Sequence, residues 1–406
     1  MRVGWIFKTE SIVIPAVLDL LGGSAWVRGW LPLMNRIGHA FPPLLAASTL
    51  RRMPQKSRSL LRTTLAMACG IGGLGLVYSL GVRSPGYWAP LTFLVIYSLF
   101  FAAVGINTNA LGVVTAKLVP VDRRGRLLMF ANTIGAALAI AAVVLLMPLW
   151  VGDGRADFFS VFSFTAVCFL GCAFLTLALR EHADPPTPTK GPRFRDHLLL
   201  AYHTLRDDRQ FRRLALVAVL FGTSLMVFPH YQALAAERLG MSLDFLLLWV
   251  VVQNIGTAVF SAAIGPLADR RGNRLALLAA LLLSAAAPPA AALISHSPEW
   301  SNWLYHPLFL LVGITPVVIK VLQNFTLELS GPEDHPRYLA TLSLCMSAPV
   351  FASPLLGRLI DLTGFDPAFF LVGGLIALGW ILTFGLREPR HAAIRQTVLP
   401  AADETV

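Results

Sequence analysis

This sequence is short of charge. Only 14% of its 406 residues are Asp, Glu, Lys or Arg, while 56% are hydrophobic, and the mean hydropathy is +0.66. A soluble domain carries roughly a quarter charged residues, so a water-soluble globular fold is excluded. Cysteine is scarce as well. Cys69, Cys168, Cys172 and Cys345 all lie in apolar runs, with no metal-ligand spacing to histidine and no extramembrane pair. That leaves neither a zinc site nor a disulfide framework. The sequence has no Walker loop, no His-Glu-x-x-His and no Gly-x-Ser-Gly. Direct ATP drive, a membrane zinc protease and a rhomboid-like protease are thereby set aside. No enzyme activity, metal or cofactor is expected. The N-terminal stretch lacks a small-x-small cleavage site and is read as a first span, not as a removed signal.

What is present is a series of apolar runs of about twenty residues, the length that crosses a ~30 Å hydrocarbon layer at 1.5 Å per residue. Twelve such spans are expected near 10–28, 30–50, 61–82, 88–116, 127–150, 158–180, 211–236, 243–266, 274–294, 304–327, 338–360 and 367–387. The fold class is therefore an all-α membrane protein. The net charge of +11 could signal nucleic-acid binding, but Lys and Arg sit in short loops between alternate spans. Examples are Arg51, Arg52, Lys56 and Arg58 after the second span, and Arg270, Arg271 and Arg274 after the eighth. This is the positive-inside pattern, with both termini cytoplasmic in a plasma membrane. The expected partners are the bilayer and a small-molecule solute, with no nucleic acid, and the chain is expected to be a monomer.

One long polar segment, 181–210, opens with Pro185, Pro186, Pro188 and Pro192 and continues as a basic helix. It separates six spans in 1–180 from six in 211–390, followed by a tail at 391–406. Two weak matches link the halves. Pro120-Val121-Asp122 resembles Pro332-Glu333-Asp334, and Leu179-Arg180-Glu181 resembles Leu386-Arg387-Glu388. Their similar offsets fit a tandem duplication.

The loop after span eight reads Gly265-Pro266-Leu267-Ala268-Asp269-Arg270-Arg271-Gly272-Asn273-Arg274. It closely resembles the G-x-L-x-D-R-x-G-x-R signature of the major facilitator superfamily, at the matching place within a half. The resemblance implies two pseudo-symmetric six-helix bundles and secondary transport by alternating access, ion- or proton-coupled in many members. It also implies a cytoplasmic gate built on Gly265, Asp269, Arg270, Gly272 and Arg274. Gly265 would let helices approach, Gly272 would make a tight turn, and Asp269 would cap a helix and pair with an arginine. The first-half loop, Leu50 to Arg58, departs from the signature, with no Asp and no Gly pair. A non-transporting relative acting as sensor or assembly partner is the alternative reading.

Polar residues inside spans should turn toward protein or water, because a charge facing lipid costs several kcal/mol. The substrate-binding candidates are Arg36, His39, Asn107, His230, Gln232, Gln253 and Asn254. Placing the first turn near residue 28 puts Asp19 and Arg36 at equal depth, so an Asp19–Arg36 ion pair is expected. Such a pair either locks the first two spans together or leaves Arg36 to hold an anionic group. His39, one turn beyond Arg36, would bind solute, carry a proton or bond a neighbouring helix.

Overall fold

The computed structural model describes residues 1–183, 194–331 and 333–388. The Pro-rich piece at 185–192, Pro332 and the tail at 391–406 lie outside the described residues, as do the side chains of 121–129 and Asn132.

The first-half elements are α1 (Arg2–Ile6), α2 (Val13–Leu20), α3 (Ala25–Arg52), α4 (Ser57–Arg83), α5 (Trp88–Leu118), α6 (Val121–Trp150) and α7 (Phe158–Leu177). After the linker helix α8 (Phe194–Asp207) come α9 (Arg209–Gly222), α10 (Ser224–Leu239), α11 (Leu246–Arg271) and α12 (Asn273–Ser295). The chain continues through α13 (Pro298–Val312), α14 (Thr315–Leu329), α15 (His335–Ser347), α16 (Ser353–Thr363) and α17 (Phe365–Thr383). Nine helical segments among the described residues are long and apolar enough to cross a bilayer. A helix is the natural element here, because it satisfies its own backbone where no water is available. One small hairpin interrupts the helices. Val151–Gly152 pairs antiparallel with Arg155–Ala156 through Asp153-Gly154, whose positive φ values of 51° and 77° suit a two-residue turn.

The structure forms two compact units. The first comprises Met1–Pro192 with Phe228–Val251 and Ala352–Phe365; the second holds the remainder. In the first unit α4 packs between α5 and α7, and α3 packs on α5 and α16. Glycine makes the α3–α5 approach: a Cβ on Gly38 would lie 2.5 Å from that of Phe101, and one on Gly105 would lie 2.7 Å from the Gly38 carbonyl. In the second unit α12 packs on α13 and α14, and α15 packs on α8 and α9. Asp208 ties that corner together, accepting from the Phe211 N–H at 2.8 Å and from the Tyr338 hydroxyl at 3.1 Å.

Each unit closes one end with the same device. Glu181, after α7, accepts the Lys56 and Ser57 N–H groups at the start of α4, at 3.0 and 2.7 Å, and the Lys117 ammonium at 3.0 Å. Glu388, after α17, accepts the Arg274 N–H at the start of α12 at 2.8 Å. A carboxylate on a helix N-terminus satisfies orphan N–H groups and opposes the helix dipole. Burial alone would raise the Glu181 pKa; the Ser57 and Lys56 N–H groups and Lys117 outweigh it and hold the group at about 2.

Glu181→Gln should therefore destabilise the fold by about 1–3 kcal/mol at neutral pH, the cost of weakening a charge-assisted buried contact. Folding lowers this pKa, so the carboxylate stabilises at any pH above its unfolded value of about 4.3. That contribution fades as pH falls from there toward 2. Melting curves of wild type and variant should differ at pH 7 and converge at the acidic end; parallel curves throughout would refute the assignment.

Candidate functional site

The first span is broken. Residues 7–12 leave the helix between α1 and α2, and the chain restarts where the Thr9 carbonyl accepts the Val13 and Ile14 N–H groups at 3.0 and 3.1 Å. Lys8 and Glu10 stand in this break, their ammonium and carboxylate 2.7 Å apart. Lys8 is 1% exposed and lies over Trp5 at 3.8 Å and Phe101 at 4.5 Å. The negative ring faces and Glu10 together replace the water this cation has lost. Glu10 also accepts the side-chain amide of Asn35, and Asn35 bonds the buried Tyr97.

Arg36 and His39 extend this cluster along α3. Arg36 interacts electrostatically with Glu10 but has no hydrogen bond or ion pair within the described residues. The His39 ring rests on Phe101, centroids 5.2 Å apart, and feels Glu10, Arg36 and Lys8. The glycine-mediated contact of α3 with α5 fixes this level of the cluster.

Asp19 lies elsewhere, and the expected Asp19–Arg36 pair is corrected. The hairpin turns at Gly22-Gly23, with Gly22 at φ 84°, not at residue 28. Asp19 therefore meets Arg28, with Nη1 and Oδ1 2.5 Å apart. Arg28 also reaches Glu237 of α10 through Nη2 at 2.7 Å and is itself 3% exposed. Beside it, the Asp361 carboxylate of α16 accepts the Ala25 and Trp26 N–H groups, both at 2.9 Å, at the start of α3. A Cβ on Gly29 would lie 2.6 Å from the Ser353 carbonyl, so α3 and α16 meet backbone to backbone. Helices from the early and late parts of the chain are thus clasped at the start of α3, at the end of that helix opposite Arg51 and Arg52.

His230 and Gln232 are buried in the same unit, at 0% and 2% exposure; both ring nitrogens of His230 and the Gln232 Oε1 lack hydrogen-bond partners among the described residues. Asn107 departs from the solute-facing expectation. At 4% exposure it donates to the Thr63 and Thr64 hydroxyls of α4, at 2.9 and 2.8 Å. Its amide is spent on joining α5 to α4. In the second unit, Gln253 is half-buried and Asn254 is exposed on α11. The Thr257 hydroxyl lies 3.1 Å from the Gln253 carbonyl and 2.8 Å from that of Gly313, at a close α11–α13 crossing.

The signature turn is a single residue: Gly272, at φ 93°, joins α11 to α12 and abuts the Glu388 carboxylate. Arg274 donates through Nη2 to the Phe384 carbonyl at 2.8 Å. Asp269, Arg270 and Arg271 are exposed. A Cβ on Gly265 would meet nothing within 4 Å among the described residues. Sequence reasoning missed Glu10, the Arg28–Glu237 link and the use of Asp361. The Lys8-Thr9-Glu10 triplet inside an apolar stretch was the available signal for the first.

Long apolar helices, a broken first span with buried ions and a glycine turn between basic helix ends define a multispan helical membrane protein. A sequence model of the Major Facilitator Superfamily matches residues 9–319 and again 226–402. The chain belongs to this family. Uncharacterized proteins of Mycobacterium tuberculosis and Mycobacterium bovis are each 25% identical over 347 residues, 84% of this chain. The chain spans about 65% of the length of these curated relatives. Among solved structures it resembles a point mutant of the nucleoside transporter NupG, with TM-score 0.73 and 10% identity over 95% of this chain and 96% of that one. It also resembles a bacterial homologue of the iron transporter ferroportin in an inward-facing state (TM-score 0.69, 13% identity, 95% of each chain). A third is a D-xylose-proton symporter (0.67, 14%, 96% and 97%). At these identities the likeness is one of fold.

The geometry at Asn107 predicts that Asn107→Leu loses stability by about 1–3 kcal/mol, because Thr63 and Thr64 lose the donor that joins them to α5 and keep only their bonds to α4 carbonyls. Solute affinity of the folded variant should be unchanged. A large affinity loss at unaltered melting temperature would return Asn107 to the binding site.

Proposed function

We propose that the chain is a secondary transporter that moves a small solute by alternating access. Twelve spans in two six-span halves, 1–180 and 211–390, carry out the cycle, with termini in the cytoplasm and the clasped helix ends on the outer face. The twelve include four formed from paired short helices, α1 with α2, α9 with α10, α13 with α14 and α15 with α16. The matched caps of Glu181 and Glu388 support a duplicated plan.

The observation that carries the reading is the clasp at Arg28. It joins α2 and α3 of one half to α10 of the other through hydrogen-bonded ions, next to Asp361 on the α3 N-terminus. A permanent seam is more cheaply built from apolar residues, since replacing buried ion pairs by packed hydrophobes is often neutral or stabilising. Ion pairs that can exchange their partners for water suit a seam that opens.

A non-transporting sensor is disfavoured by the first-half loop. Although it departs from the family signature, its Lys56 and Ser57 are anchored on Glu181 as Arg274 is on Glu388. The cytoplasmic side of both halves therefore keeps its fastening.

The test is a spin-label distance between Tyr87 and Leu362, both exposed, in protein with its four cysteines replaced. Arg28→Gln should shift the population toward longer separations by roughly 1–2 kcal/mol of bias, about a 5- to 30-fold change in ratio. An identical distribution in wild type and variant would refute the clasp as a gate.

A further inference from the structure

Resting on the transporter reading, we infer that Arg36, beside the Lys8–Glu10 pair, is the recognition point for a small organic solute carrying a single negative charge. The charged groups that interact here are two cations, Lys8 and Arg36, and one carboxylate, Glu10, with the His39 imidazole alongside. Glu10 is committed. One oxygen holds Lys8 at 2.7 Å and the other accepts from Asn35. Among the described residues Arg36 is left with attraction to Glu10 but no bonded partner. The cluster is therefore one negative charge short before the imidazole is counted.

An uncompensated cation within an apolar span is costly, and a carboxylate or similar oxyanion completes the set by taking the Arg36 fork bidentately. Accessibility sorts the two cations. Lys8 is 1% exposed and sealed under Trp5 and Phe101, whereas Arg36, His39 and Glu10 are partly open. The solute thus reaches Arg36, with His39 one turn along as a second contact. Glu10 sets the charge limit. Its carboxylate, 35% exposed, repels a second negative charge on the solute, while Lys8 and Arg36 repel cations. Neutral solutes leave Arg36 unsatisfied.

The experiment is thermal melting of the purified full chain at neutral pH with benzoate and lactate as monoanions, succinate as dianion, benzamide as neutral isostere and choline as cation. A ligand that favours the folded state raises its stability. Monoanions should stabilise, and the other three should not. Arg36→Gln should weaken monoanion binding by about 10- to 100-fold. Glu10→Gln, which raises the local charge by one, should shift preference toward succinate. If Arg36→Gln does not fold, Arg36→Lys carries the test, with weaker binding and the same order of preference. Equal stabilisation by choline or benzamide, none by either monoanion, or monoanion binding that survives in Arg36→Gln would overturn the assignment. Binding through Arg36 while the Tyr87–Leu362 distance stays fixed in every variant would retain the anion site and remove transport.

Discussion

An ion inside an apolar helix bundle must find a counter-ion or a ring of dipoles, and this constraint organises the described structure. The chain has few charges, and those within or beside its spans are spent in small groups. Lys8 takes Glu10 and aromatic faces, Arg28 takes Asp19 and Glu237, and Glu181 takes two N–H groups and Lys117. Each group sits where a helix begins, ends or breaks. Backbone N–H groups freed at such places are partners that a continuous helix cannot offer. The break between α1 and α2 is thus more than an irregularity, because it is where a span accommodates two opposite charges two residues apart.

The pairings differ in how reversible they are. Glu181 is enclosed, its carboxylate held at about pKa 2 by surrounding donors, and it works as a permanent fastening of α4. Glu237, about half exposed, can exchange Arg28 for water at modest cost. Fastenings at one end and a releasable clasp at the other are what a helix assembly needs if one end is to open while the other keeps its local structure.

The family signature was the most legible part of the sequence, for a physical reason. A one-residue link between two long helices demands positive φ, and Gly272 supplies it at 93°. The apolar runs were legible through length and composition. The site was less so. The turn of the first hairpin was placed near Arg28 because that residue looked like a loop charge. The actual signal was Gly22-Gly23, and moving the turn transfers Asp19 from Arg36 to Arg28. Asn107 read as a lining residue because polarity in a span marks a need for partners. Composition does not say whether the partner is solute or, as here, Thr63 and Thr64. Lys8 falls outside the first expected span at 10–28 and the break straddles its start, since nothing in hydropathy distinguishes a span's edge from a break within it.

Freed of Asp19, Arg36 stands eight residues beyond Arg28 on the same helix, about 12 Å along its axis. Pro32 lies midway between them. A proline inside a helix removes the hydrogen bond to the carbonyl four residues earlier, which here is that of Arg28. The Arg28 clasp and Arg36, the cation we propose as the solute contact, are therefore carried on one helix with a weakened turn between them. A solute can move the clasp only by as much as it binds one state of α3 better than the other. An anion that draws Arg36 away from Glu10 makes such a difference, because it changes the net charge that α3 presents to the first span. The weakened turn at Pro32 is where that preference would be converted into strain on the Arg28 ion pairs. On the proposed transporter reading, the same helix both senses the solute and holds the outer end closed.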